Sequence, residues 1–422
     1  MNLLLKQLTL FEPTHPFHLQ SCDLFIQDGI IKDIQPNLAV ESAETLNTKG
    51  AYLSIGWTDI GVQIGEPGYE HREDLASLTK AAAAGGFTTI AALPNTHPII
   101  QSKSEVNFLR QYAASNLVDI LPIGAITTTT EGAELTELYD MHQSGAIAFS
   151  DGEKSIQHTG VMLRALQYVK AFGGIIVNHP HDKQTAGDGQ IHEGVTSIRL
   201  GMKGIPSLSE ELMLQRDIEL LDYADSKLHV HNISTAESVA LIRRAKERGL
   251  RITASVSALH LGFTVKNLEE FDTNFKVMPP LRANTDQAAL QKGLADRTID
   301  FITTNHIPLE EESKFLEFPY AKFGAIGLQT AVATSIEAMS DLLNTEQMIE
   351  KWAYDSRKAF DLDVPIIKEG ERANLTLFDP NKIWKVSKRN LYSKSKNSPF
   401  LGKELKGKTI LTINNGKVWR EE

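Results

Sequence analysis

Cysteine is almost absent from this chain: among 422 residues only Cys22 carries a thiol. A disulfide within the chain is excluded, and so is a zinc site built on cysteines. The composition suits a reducing, cytoplasmic setting. No uninterrupted apolar run approaches the roughly 20 residues that a membrane-spanning helix needs. The opening segment, Met1 to Phe11, has an interrupted apolar run and no cleavage-site pattern, so it reads as a strand rather than a signal peptide. An excess of positive charge is also missing. Lysine and arginine total 43 against 53 acidic residues, a net charge of −10. That argues against nucleic acid or an anionic membrane as the main partner. There is no glycine loop of the nucleotide-phosphate type, no legible Ser/His/Asp arrangement, no periodic repeat and no low-complexity stretch. Gly324-Ala-Ile-Gly327 reads as a tight turn entering a helix.

What is present is apolar and regularly punctuated. An apolar fraction of 41% is enough for a sizeable core. Residues 1–52 read as β: Asp28-Gly29 between two apolar segments is a strong hairpin signal. From about residue 53 the texture becomes strand, loop, helix, repeated. The stretch Leu53 to Gly68 opens it as one strand, broken at Pro67-Gly68. Period-2 alternation places Asp59, Gly61, Gln63 and Gly65 on one face. Later strands begin at Phe87, Val118, Ala146, Gly174, Lys227, Arg251 and Ile299, and a helix from Leu75 stops at Gly85-Gly86. About eight strands separated by helices predict an α/β fold, a (β/α)₈ TIM barrel over 53–365. Beyond residue 366 the chain turns β again, with a second hairpin turn at Asn414-Asn-Gly416. The shared signature predicts one small, β-sandwich-like domain built from 1–52 and 366–422.

Ionisable and amide residues gather just past the strand ends, where such barrels build sites. Asp151, His179 and His231 form a set that suits zinc; spacing alone favours the plainer reading, hydrogen-bonded polar residues at strand ends. His181, Asp182, His192 and His158 read as solvent-facing loop residues. His229 is expected to point away from the barrel interior, as a packed or edge histidine. Asn305 closes the eighth strand, where a carboxylate would accept a proton from metal-bound water; an asparagine cannot. Asn95 could grip a substrate carbonyl or carboxylate, or hold a turn.

Taken together, Glu66-Pro-Gly68, Tyr69-Glu-His-Arg-Glu-Asp74, Leu93-Pro-Asn-Thr96, Phe149-Ser-Asp-Gly152, His229-Val-His-Asn232, Lys276-Val-Met-Pro-Pro-Leu-Arg282, Phe323-Gly-Ala-Ile-Gly-Leu328 and Asn397-Ser-Pro-Phe-Leu-Gly402 resemble, in order and spacing, the dihydroorotase family of the amidohydrolase superfamily, longer bacterial type. The resemblance implies a barrel with a binuclear zinc site that closes carbamoyl aspartate to dihydroorotate, or the reverse, in pyrimidine synthesis. It puts the family's first-strand metal histidines on Gly61 and Gln63, and the arginine that grips the substrate carboxylate on Gly65. The bridging carboxylate falls on Asp151 and the later histidine ligands on His179 and His231. Of two substrate asparagines, one is kept as Asn95 and the other falls on Met278. Paired histidines are reduced to Leu259-His260, which leaves His260 as a substrate-side residue. The catalytic aspartate falls on Asn305.

The losses fall together while the surrounding glycines and prolines remain. The first reading is a catalytically silent homologue acting as a structural or regulatory partner of aspartate transcarbamoylase, the family's companion by resemblance; one zinc or none is expected. The second is a working cyclic-amide hydrolase with one zinc on Asp151, His179 and His231. The third is a metal-free small-molecule binder, its pocket made larger and more apolar by Met278, Leu259 and Gly65. A homo-oligomer is expected in each case.

Overall fold

The computed structural model describes residues 2–421. Eight parallel strands stand side by side in chain order. They are β1 (Trp57–Val62), β2 (Phe87–Ala92), β3 (Asp119–Gly124), β4 (Ala148–Phe149), β5 (Ile176–Asn178), β6 (Leu228–Val230), β7 (Ile252–Ser257) and β8 (Phe301–Thr303). The runs are short, apolar and buried, as expected of strands covered by helices on the outer face. The helix Leu75–Gly85 shows the local logic. Asp74 accepts from Ser77 N at its start, and Gly86 ends it at φ 95. A Cβ on Gly86 would also lie 2.6 Å from the Trp57 ring, so glycine serves both the turn and the close approach.

The seam between β8 and β1 is joined by few groups. Gln63 N donates to His306 O at 3.0 Å. The carboxylate of Asp59 accepts from Thr304 N at 3.0 Å and from the Thr304 hydroxyl. Asp59 is fully buried, and burial pushes its carboxyl up to about 7. The folded chain therefore holds this proton where the unfolded chain has released it, between pH 4 and 7, and stability is lost as pH rises through that window, by at most about 4 kcal/mol. Buried histidines act with the opposite sign: burial holds His179 and His260 at about 4. Their stabilisation is lost as pH falls from about 6.5 toward 4. Asp59→Asn is therefore expected to steepen the loss of stability on the acid side. Urea midpoints measured from pH 4.5 to 7.5 would check it; an unchanged slope would refute the role of Asp59.

Ile60, Ala91, Ile123, Ala148, Val177 and Phe301 fill the barrel, with Phe360 against them. His229 belongs to this interior, contrary to the outward placement expected. Its ring stacks on Phe301 at 5.0 Å and meets Phe360 at 5.0 Å. Residues two apart on a strand share a face, so His229 and His231 both point inward. The core tolerates the imidazole because hydroxyls of β7 serve both nitrogens: Thr253 Oγ1 at 2.9 Å and Ser255 Oγ at 3.1 Å.

Both ends of the chain contribute to one hydrogen-bonded sheet of eight strands. The N-terminal half supplies Asn2–Leu10, Ser21–Gln27, Ile30–Gln35, Glu44–Asn47 and Tyr52–Ile55, and the C-terminal segment Leu375–Lys385, Glu404–Asn414 and Lys417–Arg420. The hairpin turns sit at positive φ, 51 and 77 at Asp28-Gly29 and 51 and 70 at Asn415-Gly416. Tyr52–Ile55 pairs with Leu375–Phe378 in this sheet, so the stretch from Leu53 is divided: the barrel begins at Trp57. Among the described residues no helix is long and apolar enough to cross a membrane.

Candidate active-site cavity

The C-terminal ends of the barrel strands surround a cavity of about 520 Å³. Its floor contains His179, His231, Asn232 and Asn305; Gln63, Arg72, Glu153, His181, Lys183 and Lys322 stand around it, and Leu93, Met278, Ile307 and Phe323 give it an apolar side.

The first strand does not keep its alternation to the end. The ladder to β2 shifts between Ile60 and Val62, and Gly61 sits at φ 88. A Cβ at Gly61 would lie 2.3 Å from Cε1 and 2.6 Å from Nε2 of His231. The imidazole of His231 thus fills the room that a side chain at 61 would need. Gln63 reaches the cavity and its amide donates to Glu153. Gly65 does not line the cavity: a Cβ there would lie 2.0 Å from Glu73 O. The chain has left the strand by then and folds back on residues 69–73, so the four-residue face expected from period 2 stops short. Leu259 is also elsewhere, in a separate apolar cluster with Val265 and Phe275. Of the three residues expected to enlarge the pocket, Met278 alone lines it.

A chain of amides ties the floor together. Thr303 Oγ1 donates to Asn232 Oδ1 at 2.6 Å. Asn232 Nδ2 donates to His231 Nε2 at 3.0 Å and to Asn305 Oδ1 at 3.2 Å. Asn305, at φ 49, donates onward to Met278 O at 3.1 Å. His231 Nε2 is therefore an acceptor, which leaves its proton on Nδ1, 3.5 Å from Ser255 Oγ. Burial holds His231 at about 3, so the ring is neutral at pH 7. His179 is arranged differently: Nδ1 faces His231 O at 3.2 Å, while Nε2 is buried without a hydrogen-bond partner.

Asp151 is turned to a neighbouring loop. Its carboxylate accepts from Thr127 N at 2.9 Å and from the Thr127 hydroxyl, and burial raises it to about 6. Asn95 holds the turn beside it, donating to Asp151 O at 3.1 Å and accepting from Glu153 N at 3.1 Å. A turn-holding role thus has direct contacts, and Asn95 does not line the cavity. His260 lies buried outside the cavity, with Nε2 3.1 Å from Pro279 O. Two of the loop histidines expected in solvent are partly buried. His181 lines the cavity and stacks 6.3 Å from His179; His192 lies 3.3 Å from Arg282 Nη1. Asp182 and His158 cap helices through Thr185 N and Gly160 N.

A metal ion needs lone pairs that converge. Of the three candidate ligands, His231 Nε2 is committed to Asn232, Asp151 is committed to Thr127, and His179 Nε2 alone is unpartnered. Among the described residues no group of three or more His, Cys, Asp or Glu comes together to hold a metal. The donor set in this arrangement does not fit a zinc centre. Arg72, Glu153, Lys183, Lys322 and Asn232 were not anticipated at the cavity. All but Lys183, which opens the short helix Lys183–Ala186, lie on loops whose convergence has no periodic signal; only Asn232, next to His231 in the chain, was within reach of sequence reasoning.

Barrel, terminal sheet and cavity together define the fold shared with the hydantoinases. L-hydantoinase (dihydropyrimidinase) from Arthrobacter aurescens superposes with a TM-score of 0.85 at 24% identity, over 100% of this chain and 96% of that one. D-hydantoinase from Thermus sp. gives 0.81 at 21%, over 99% and 94%. A family model described as Dihydro-orotase-like matches residues 50–238. The dihydroorotase of Pelotomaculum thermopropionicum is 39% identical over 421 residues, covering 99% of this chain and 98% of that protein. That of Geobacter metallireducens is 36% identical, covering 99% of each. The chain belongs to the dihydroorotase family.

Proposed function

We propose that this chain is a dihydroorotase-family protein of pyrimidine biosynthesis that no longer turns over dihydroorotate and serves as a structural or regulatory partner of aspartate transcarbamoylase. The observation that carries the silent-site reading is the packing of His231 against Gly61, with a Cβ at 61 only 2.3 Å from the ring. The space and the lone pair that a first-strand ligand and its metal would use are both taken. Asn305 adds a second reason, since an amide has no basicity for water activation at neutral pH; removing a general base typically costs 10²–10⁴-fold. The partner itself rests on the resemblance.

The silent-site reading is tested by metal analysis of protein purified without chelator, paired with a dihydroorotate assay. No bound zinc and no turnover are expected. The partner reading is tested by co-purification with the transcarbamoylase of the same organism. A transcarbamoylase that is fully active alone and never binds this chain would sink it.

A second reading keeps a hydrolase with one zinc on Asp151, His179 and His231. The observation in its favour is His179 Nε2, buried and unpartnered. It requires Asp151 to release Thr127 and His231 to release Asn232. About one zinc per chain together with turnover would establish it.

A further inference from the structure

Charge is unevenly placed along this acidic chain. Residues 382–420 hold eleven of its 43 lysines and arginines and, in Glu404, one of its 53 acidic residues. Much of that charge comes together at one end of the terminal sheet. Beyond Phe378 the strand Leu375–Lys385 no longer pairs with Tyr52–Ile55, and Lys417–Arg420 pairs only with residues 411–414. Ile383–Lys385 against Glu404–Lys406 is therefore a two-stranded ribbon, and its outer edges pair with no strand among the described residues.

The two faces of the ribbon differ. Trp384 and Leu405 are buried against the body of the protein, while Lys385, Glu404 and Lys406 are exposed. Ile383, opposite Lys406 in register, is 64% exposed in their midst. Arg389 and Lys403 stand exposed on the connecting segment, and Val386 N donates to Lys403 O at 2.9 Å, which closes that segment onto the ribbon. Other basic residues of the region are neutralised: Lys382 and Lys408 hold Glu421, and Lys388 holds Glu311. Among the described residues Lys385, Arg389, Lys403 and Lys406 have no ion pair.

Four uncompensated cations on one rigid ribbon, in a chain with carboxylates to spare, attract an anionic partner and speed its encounter. Lysines on an open edge also keep a like strand from adding; a strand that carries carboxylates meets no such barrier. Nucleic acid suits the site less well. Unpaired bases need open rings to stack on, and here Trp384 is buried and Lys403 lies 4.8 Å from the Phe275 ring centre and 5.6 Å from that of Phe263. A long polyanion would also run onto the strongly acidic remainder of the surface. The exposed Ile383 offers an apolar contact that a peptide can use.

We propose that this ribbon end docks an acidic, extended segment of a different protein, with its carboxylates on Lys385, Arg389, Lys403 and Lys406 and an apolar side chain on Ile383. Docking here depends on neither the state of the barrel mouth nor a transcarbamoylase. The test is fluorescence anisotropy of the full chain with a labelled octapeptide of alternating glutamate and valine. Saturable binding is expected, weakened at least about 5-fold when salt rises from about 50 to about 200 mM. Lys385→Glu combined with Lys406→Glu should weaken it at least about 10-fold, the two glutamine replacements by less, and Ile383→Ser by about 5-fold. Thermal melts should not move, because these side chains are exposed. Lys32→Glu, on the opposite edge strand of the same sheet, should change nothing. No binding at about 1 mM peptide, binding that the reversals leave unchanged, or an oligouridylate of equal charge held as tightly by the same residues would overturn the proposal.

Discussion

Gly61→Ala is expected to destabilise the protein by about 2–5 kcal/mol, and Gly61→His by at least as much. Two terms add. At φ 88 the backbone is in the left-handed region, which costs an L residue about 1–2 kcal/mol. The new Cβ would meet the His231 ring at 2.3 Å, and overpacking of this kind costs about 1–3 kcal/mol. The functional consequence follows directly. Installing the groups that the resemblance implies, as Gly61→His, Gln63→His, Gly65→Arg and Asn305→Asp, is expected to yield neither a zinc centre nor turnover. Gly65 faces the backbone of Glu73 rather than the cavity, and the His231 ring fills the room beside Gly61. The diagnostic measurement is a double-mutant cycle with His231→Ala, which removes the ring that collides. Part of the loss from Gly61→Ala should be recovered, leaving the backbone term. If Gly61→Ala unfolds within 0.5 kcal/mol of wild type, a threshold set by ordinary surface substitutions, the packing account of this strand is wrong.

Glu210→Ala is expected to cost about 3–5 kcal/mol, the range for breaking a buried charge pair from one side. Glu210 and Arg282 are each 2% exposed in their side chains, with Oε2 and Nη2 3.5 Å apart. The carboxylate also accepts from Ser234 N at 2.7 Å and Thr235 N at 3.2 Å. The guanidinium donates to Ser234 Oγ at 3.0 Å and Ile205 O at 3.0 Å. Removing Glu210 strands a buried cation and two amide donors together. The double variant Glu210→Leu with Arg282→Met should recover much of the loss, because neither charge is then left alone. Urea denaturation reads both, provided the slope with denaturant is unchanged. A single-variant loss below about 1 kcal/mol would show that this pair contributes no more than an exposed one.

The barrel was legible because its signal is local and repeated. Apolar runs ending at Pro94-Asn95, Asp151-Gly152 and His231 announce strands whose polar ends share one rim. The hairpins at Asp28-Gly29 and Asn415-Gly416 were legible for the same reason: a positive φ at consecutive residues selects a few side chains. Where period 2 was carried too far it misled. Gly65 lies beyond the strand's last residue, Val62, and a shifted ladder had already interrupted the pattern at Gly61. His229 was misplaced although the same rule, applied to positions two apart, puts it beside His231.

The sequence by itself determined the fold class, the family and the positions at which the resemblance expects other residues, because each is written in residue identities and spacings along the chain. Only the tertiary structure decided what those positions now do. It set the His231 ring in the room beside Gly61, gave its lone pair to Asn232, and turned Asp151 toward Thr127. These are contacts between distant segments, and no local pattern encodes which of two hydrogen-bond partners a buried group will take.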